Sequence, residues 1–183
     1  QGNENQQKVC DLGNALITCL QPHWTCLDNE TYENMGQDKF FANLYHSDLY
    51  ITQFQCSERG ISLIMPTITC IEAARDSGGS EQQGVCADSI DRFIAEAGNR
   101  CGGYNKFLSC MHQVFLPSCG PDAAAFICGT NRAGLLAHVS WCGTSPAADI
   151  LQCPIVERTS SSAMGAAMMR LISIMLPFLI TFI

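Results

Sequence analysis

The sequence lacks most of the patterns that announce chemistry. It has no G-x-S-x-G, no H-E-x-x-H and no phosphate-cradling glycine loop. His23, His46, His112 and His138 are scattered, and no C-x2-C pair stands near any of them. A zinc site and a catalytic site are both unexpected on that ground, and no cofactor is expected. Basic residues are few and never form a block: Lys and Arg total 10 against 17 Asp and Glu, for a net charge of −7. That balance argues against nucleic acid and against anionic lipid head groups as partners. An apolar run at the start is also missing, since the chain opens on Gln1 followed by polar residues. The expectation is a secretory signal already removed.

Cysteine is abundant. Twelve of the 183 residues are Cys, at positions Cys10, Cys19, Cys26, Cys56, Cys70, Cys86, Cys101, Cys110, Cys119, Cys128, Cys142 and Cys153. An even number at this density in an exported chain reads most simply as six disulfides. Cys10 and Cys19 stand nine residues apart, as do Cys101 and Cys110. On one helix such pairs point to opposite sides, about 13 Å apart along the axis. A bridge needs Cα atoms within about 7 Å, so each of these cysteines must tie its helix to a different neighbour. Trp24 and Trp141 each sit beside a cysteine, where packing against a bridge is the simplest role.

The far end of the chain carries the clearest positional signal. Ser160, Ser161 and Ser162 are three successive small residues. Ala163 to Arg170 form a spacer, and Leu171 to Ile183 are apolar. This is the layout of a glycosylphosphatidylinositol (GPI) attachment signal. The apolar run of thirteen residues falls short of the roughly twenty that a spanning helix needs. Pro177 interrupts it, and Arg170 stands where a longer span would have to begin. Ser160 is the favoured attachment point, then Ser161, then Ser162. The mature protein is expected on the cell surface, in the outer leaflet of the plasma membrane. Its only hold on the membrane would be the lipid, and an extracellular protein is its expected partner.

Between those features the periodicity is helical. Val9, Leu12, Leu16 and Leu20 recur at helical spacing and predict a helix from Lys8 to Leu20, stopped by Pro22, with residues 1–7 frayed. Residues 21–37 read as a polar connection. They hold the sequon Asn29-Glu30-Thr31, which makes Asn29 a candidate glycan site. Lys39 to Cys56 is aromatic and predicts a helix, although Tyr50 to Thr52 would also suit an extended strand. Glu58 to Ala74 predicts a helix divided or kinked at Pro66. Asp76 to Gly84 reads as a loop, and Val85 to Ala97 as an amphipathic helix closed by Gly98. Helices follow over Tyr104 to Leu116, from Pro121 to Gly129, over Asn131 to Trp141, and from Ser145-Pro146 to Cys153.

The cysteine gaps hint at duplication. They run 8, 6, 29, 13 and 15 in the first six, and 8, 8, 8, 13 and 10 in the second six. Cys10 to Cys19 also lies over Cys101 to Cys110 with partial agreement, Asn14 meeting Asn105 and Leu16 meeting Phe107. The predicted fold is all-α: a small disulfide-stapled helical bundle made of two diverged six-cysteine repeats, 1–98 and 99–154. A stalk (155–162) and a removed tail (163–183) complete the expected organisation.

With that spacing, the region from Cys10 to Cys153 resembles the helical cysteine-rich repeats of the alpha receptors for glial-derived neurotrophic ligands, and cysteine-rich secreted families of invertebrates. It departs from those receptors in having no adjacent cysteines, so the resemblance implies an architecture and transfers no ligand-binding residue. The three-finger surface proteins, which are all-β with close cysteine pairs, do not match, nor do saposin-like and lipid-transfer signatures. The functional expectation is a non-enzymatic surface binding or adhesion module, or a co-receptor. The second reading is an extracellular carrier of a small apolar ligand, suggested by the aromatic stretch from Phe40 to Phe54.

Overall fold

The computed structural model describes residues 2–26, 29–36, 39–139, 142 and 151–154. All regular structure among them is helical. The elements are α1 (Gly2–Leu20), a 3-10 turn (Gln21–Cys26), α2 (Asn29–Asn34), α3 (Lys39–Gln55), α4 (Glu58–Ile64), α5 (Ile68–Ala74), α6 (Ser80–Asp88), α7 (Ile90–Ala97) and α8 (Arg100–Leu136). The chain is an all-α, disulfide-stapled bundle, as its periodicity predicts.

The bundle is built around α8. Asn99 caps it, its side-chain oxygen accepting from the Gly102 N–H at 2.7 Å. The core is largely its inward face: Phe107, Leu108, Met111, Phe115, Phe126, Ile127 and Cys128 are all buried. Ile64 from α4, Ile71 from α5 and Cys86 from α6 pack onto that face, with Phe93 of α7 at its edge. Gly120 divides α8 into two limbs, with φ 79° and ψ −176°. A side chain would be strained at that φ, so glycine marks the bend. Pro121 then opens the second limb, where its missing N–H would have had no helical partner.

Several boundaries differ from the sequence-based expectation. The first helix begins at Gly2, so residues 2–7 are helical and not frayed. Its buried side is also different: Val9, Leu12 and Leu16 are exposed, at 57%, 74% and 51%, whereas Cys10 is fully buried. The physical cause is covalent. Cys10 is bridged to Cys56 at the end of α3, and a Cβ on Gly13 would stand 2.7 Å from Thr52 Cγ2. The bridge turns the Cys10–Gly13 face inward and leaves the apolar stripe outside.

Residues 21–37 are not a bare connection, because the 3-10 turn and α2 lie within them. Tyr50 to Thr52 is helical, inside α3. Pro66 does divide the expected helix, leaving α4 and α5. The expected loop from Asp76 to Gly84 shrinks to a short π-turn (Arg75–Gly79) in which only Ser77 and Gly78 leave helical geometry. Ser89 separates α6 from α7, which closes on Gly98 in the left-handed region as expected. The break expected between Leu116 and Pro121 falls at Gly120, so the first limb runs on through Pro117, whereas Gly129 does not end the second. Both residues lie inside α8, and the second limb runs on to Leu136. The helix expected from Ser145 falls mostly outside the described residues, as do the stalk and tail.

Five disulfides fasten the bundle: Cys10–Cys56, Cys70–Cys119, Cys86–Cys110, Cys101–Cys142 and Cys128–Cys153. Their Cα separations of 5.0–5.8 Å suit bridges between neighbouring segments. As the nine-residue geometry required, Cys10 avoids Cys19 and Cys101 avoids Cys110. Cys19 is exposed and forms no bridge among the described residues, and the side chain of Cys26 lies outside those described. Five of the six expected bridges are therefore formed among the described residues. Two of them, Cys70–Cys119 and Cys86–Cys110, cross the junction at Gly98 and Asn99. The pairing does not repeat either: Cys10 joins Cys56, while Cys101, its counterpart in the gap pattern, joins Cys142.

Candidate functional site

Two features stand out among the described residues. One is the exposed stripe on α1. Val9, Leu12 and Leu16 sit at i, i+3 and i+7 and so share one side of the helix, held outward by the Cys10 bridge. Isolated exposed leucines are common, but a helical stripe of three is a contiguous apolar face.

The other feature is a cleft of about 630 Å³ over the second limb of α8. Its construction begins with Gly129. A methyl group there would run into the Phe54 ring, so only glycine lets α3 come this close to α8. Phe54 also packs on Phe126, with ring centroids 6.1 Å apart. Beyond this contact α4 contributes Arg59 and Leu63, and the start of the second limb contributes Pro121, Asp122 and Ala125. The far wall is the segment 151–154. It is held by Cys128–Cys153, by Arg132 Nε donating to the Leu151 carbonyl at 2.6 Å, and by the Gln152 N–H donating to Asn105 Oδ1 at 2.9 Å.

His112 also lines this cleft. It is fully buried, and neither ring nitrogen has a hydrogen-bond partner among the described residues. Burial pushes its imidazole below the ordinary value of 6.5, so the ring is neutral near pH 7. One nitrogen then donates and the other accepts, and both are unsatisfied. Arg59 is exposed and Arg132 half-buried, so two cations and the Asp122 carboxylate face the same space.

A third arrangement has a chemical look. Ser47 Oγ lies 2.6 Å from His138 Nε2, and the Asn43 backbone hydrogen-bonds the same imidazole. His46 packs edge-on against His138 at 5.9 Å between centroids. A hydroxyl, a base and a group that orients the base form the skeleton of an activated nucleophile. Ser47, however, lies in mid-helix on α3, where backbone N–H groups are committed to helical bonds and do not converge on a developing oxyanion. The cleft over the second limb of α8 does not reach it either. The contact ties α3 to the turn that follows α8. Burial lowers the His138 pKa, and the Asn43 hydrogen bond opposes that shift.

The sequence-predicted sites are placed unevenly. Ser160, Ser161 and Ser162 lie outside the described residues, as does Trp141. Asn29 is the first residue of α2, a helix start and not an open loop, and its side chain lies outside those described, as does that of Trp24. Among the described residues no helix is long and apolar enough to cross a membrane, and no group of three or more His, Cys, Asp and Glu could hold a metal ion. The cleft residues Arg59, Asp122 and Arg132 carried no sequence signal, because α4 and the second limb of α8 meet only in the fold. Compared with protein-family models, with curated proteins and with solved structures, the chain finds no match.

Proposed function

We propose that the protein is a GPI-anchored extracellular module that binds or adheres to another protein at the cell surface, or serves there as a co-receptor, and that it is not an enzyme. The observation that carries this reading is the exposed Val9, Leu12 and Leu16 stripe, presented on a helix whose orientation is set by a disulfide. Five bridges support an oxidising, exported location. The serine triplet and apolar end of the sequence support the lipid anchor, with Ser160, Ser161 or Ser162 as its attachment point. Asn29 is proposed as a glycan site.

Intact cells treated with a phosphatidylinositol-specific phospholipase should release the protein. Surface cross-linking before release should recover a partner with the parent chain and lose it with Val9→Ser, Leu12→Ser and Leu16→Ser combined. Retention on the cell with the tail still attached would sink the anchor, and undiminished cross-linking of the triple variant would sink the binding face. The second reading, an extracellular carrier of a small apolar ligand, draws support from the cleft beside Gly129.

A further inference from the structure

We infer that the cleft over the second limb of α8 binds a small amphiphilic acid, with its carboxylate between Arg59 and Arg132 and its apolar body against Phe54, Leu63 and Pro121. The physiological use of such a site rests on the carrier reading. The binding itself depends on neither the lipid anchor nor the α1 stripe.

Size is the first argument. About 630 Å³ falls within the range of roughly 300–1,000 Å³ usual for small-molecule pockets. The second argument is the lining. Phe54, Leu63, Pro121, Ala125, Leu151 and Pro154 provide an apolar bed, and the charged groups among the described lining residues are two arginines and one carboxylate. The site is therefore net cationic on a chain whose net charge is −7. A guanidinium presents five N–H donors in a planar fork suited to carboxylate, and the Leu151 carbonyl occupies only the Nε–H of Arg132. Arg59 forms no ion pair among the described residues.

The third argument is His112. A buried imidazole with neither nitrogen satisfied is uncommon, because buried polar atoms ordinarily find partners. This one forms part of the cleft floor with no ring surface open to direct contact, so its unspent polarity adds to the pull on a polar head group without ligating it. The site is also pre-formed. The Cys128–Cys153 bridge and the bond from Arg132 to Leu151 hold the far wall, and Gly129 fixes the near one. A pre-formed site spends less of its binding energy on ordering loops.

The test is calorimetric titration of the purified protein with decanoate, decanol and decylammonium, chains of one length with three head groups. Decanoate should bind at one per chain, at least tenfold more tightly than the other two. Arg59→Gln should weaken decanoate at least fivefold and leave the affinity for decanol unchanged. Arg132→Gln should act the same way, but it also frees the Leu151 carbonyl, so Arg59→Gln is the decisive variant, because the Arg59 side chain makes no hydrogen bond or ion pair among the described residues. Ala125→Trp should fill the cleft and abolish decanoate binding. Decanol binding as tightly as decanoate would overturn the assignment of an acid. An unchanged decanoate affinity in Arg59→Gln or Ala125→Trp would overturn the location, and no measurable binding of decanoate would overturn the site altogether.

Discussion

Gly129 shows how much one missing side chain can decide. The Phe54 ring occupies the place a Cβ would take, and the cleft and the α3 contact both depend on that approach. Gly129→Ala should therefore destabilise the protein by about 1–3 kcal/mol despite its better helix propensity. Thermal melting reads the loss, and pairing the change with Phe54→Leu should recover most of it; no recovery would mean that the ring is not the obstacle. The histidines give a pH dependence whose sign is fixed. Burial lowers the pKa of both His112 and His138 from 6.5, so the unfolded chain takes up these protons before the folded chain does. Their contribution to stability is whole above the unfolded value and is lost as pH falls from there through the depressed folded values. Urea midpoints should begin to drop as pH falls through the ordinary histidine value of 6.5, before carboxylates titrate. Replacing His112 by Leu and His138 by Gln should flatten that slope, and a slope left unchanged would remove these two groups as its cause.

At the scale of elements, α1 separates what periodicity can say from what it cannot. The spacing of Val9, Leu12 and Leu16 specifies a helix, and a helix is there. It does not specify which face is buried, because a covalent bond to Cys56 overrides the apolar stripe. Replacing the three stripe residues by Ser should change stability by no more than about 0.5 kcal/mol each, as for other exposed positions. Cys10→Ser should cost about 2–4 kcal/mol. Chemical denaturation of the two variants measures the contrast, and the opposite order would return the stripe to the core. The same limit applies to α8. Pro117 and Gly129 are breakers in any local reading, yet both sit within the helix because Phe115, Phe126 and Ile127 are buried along it. Other local signals hold: Pro66 divides α4 from α5, and Gly98 closes α7 in a left-handed turn. The cleft was illegible for a related reason. Its residues come from positions 54 to 154, and no window of sequence puts Arg59 and Arg132 on the walls of one cleft.

For the whole molecule, the covalent map is the sharpest expectation. Alkylation of the folded protein under non-reducing conditions should label no cysteine other than Cys19 and Cys26. Peptide mapping should recover Cys70–Cys119 and Cys86–Cys110, and label on any of those four would break the map. Those two bridges and the packing of α4, α5, α6 and α7 onto α8 bind 1–98 to 99–154. Expressed separately, the two spans should lack cooperative melting and regain it only when oxidised together. A separately stable 1–98 would show that the first half needs no α8.

The map also has a schedule. Cys70 and Cys86 leave the ribosome before either partner exists, and Cys70 waits for a residue 49 positions later. At about 5–20 residues per second this leaves it unmatched for roughly 2–10 s, while Cys56 has just met Cys10 and is out of reach. Until Cys110 emerges, the native partner of neither Cys70 nor Cys86 is at hand, and any bridge these two thiols form is a wrong one. Native pairing is therefore gated by how quickly α8 follows, and by the reshuffling of whatever formed first.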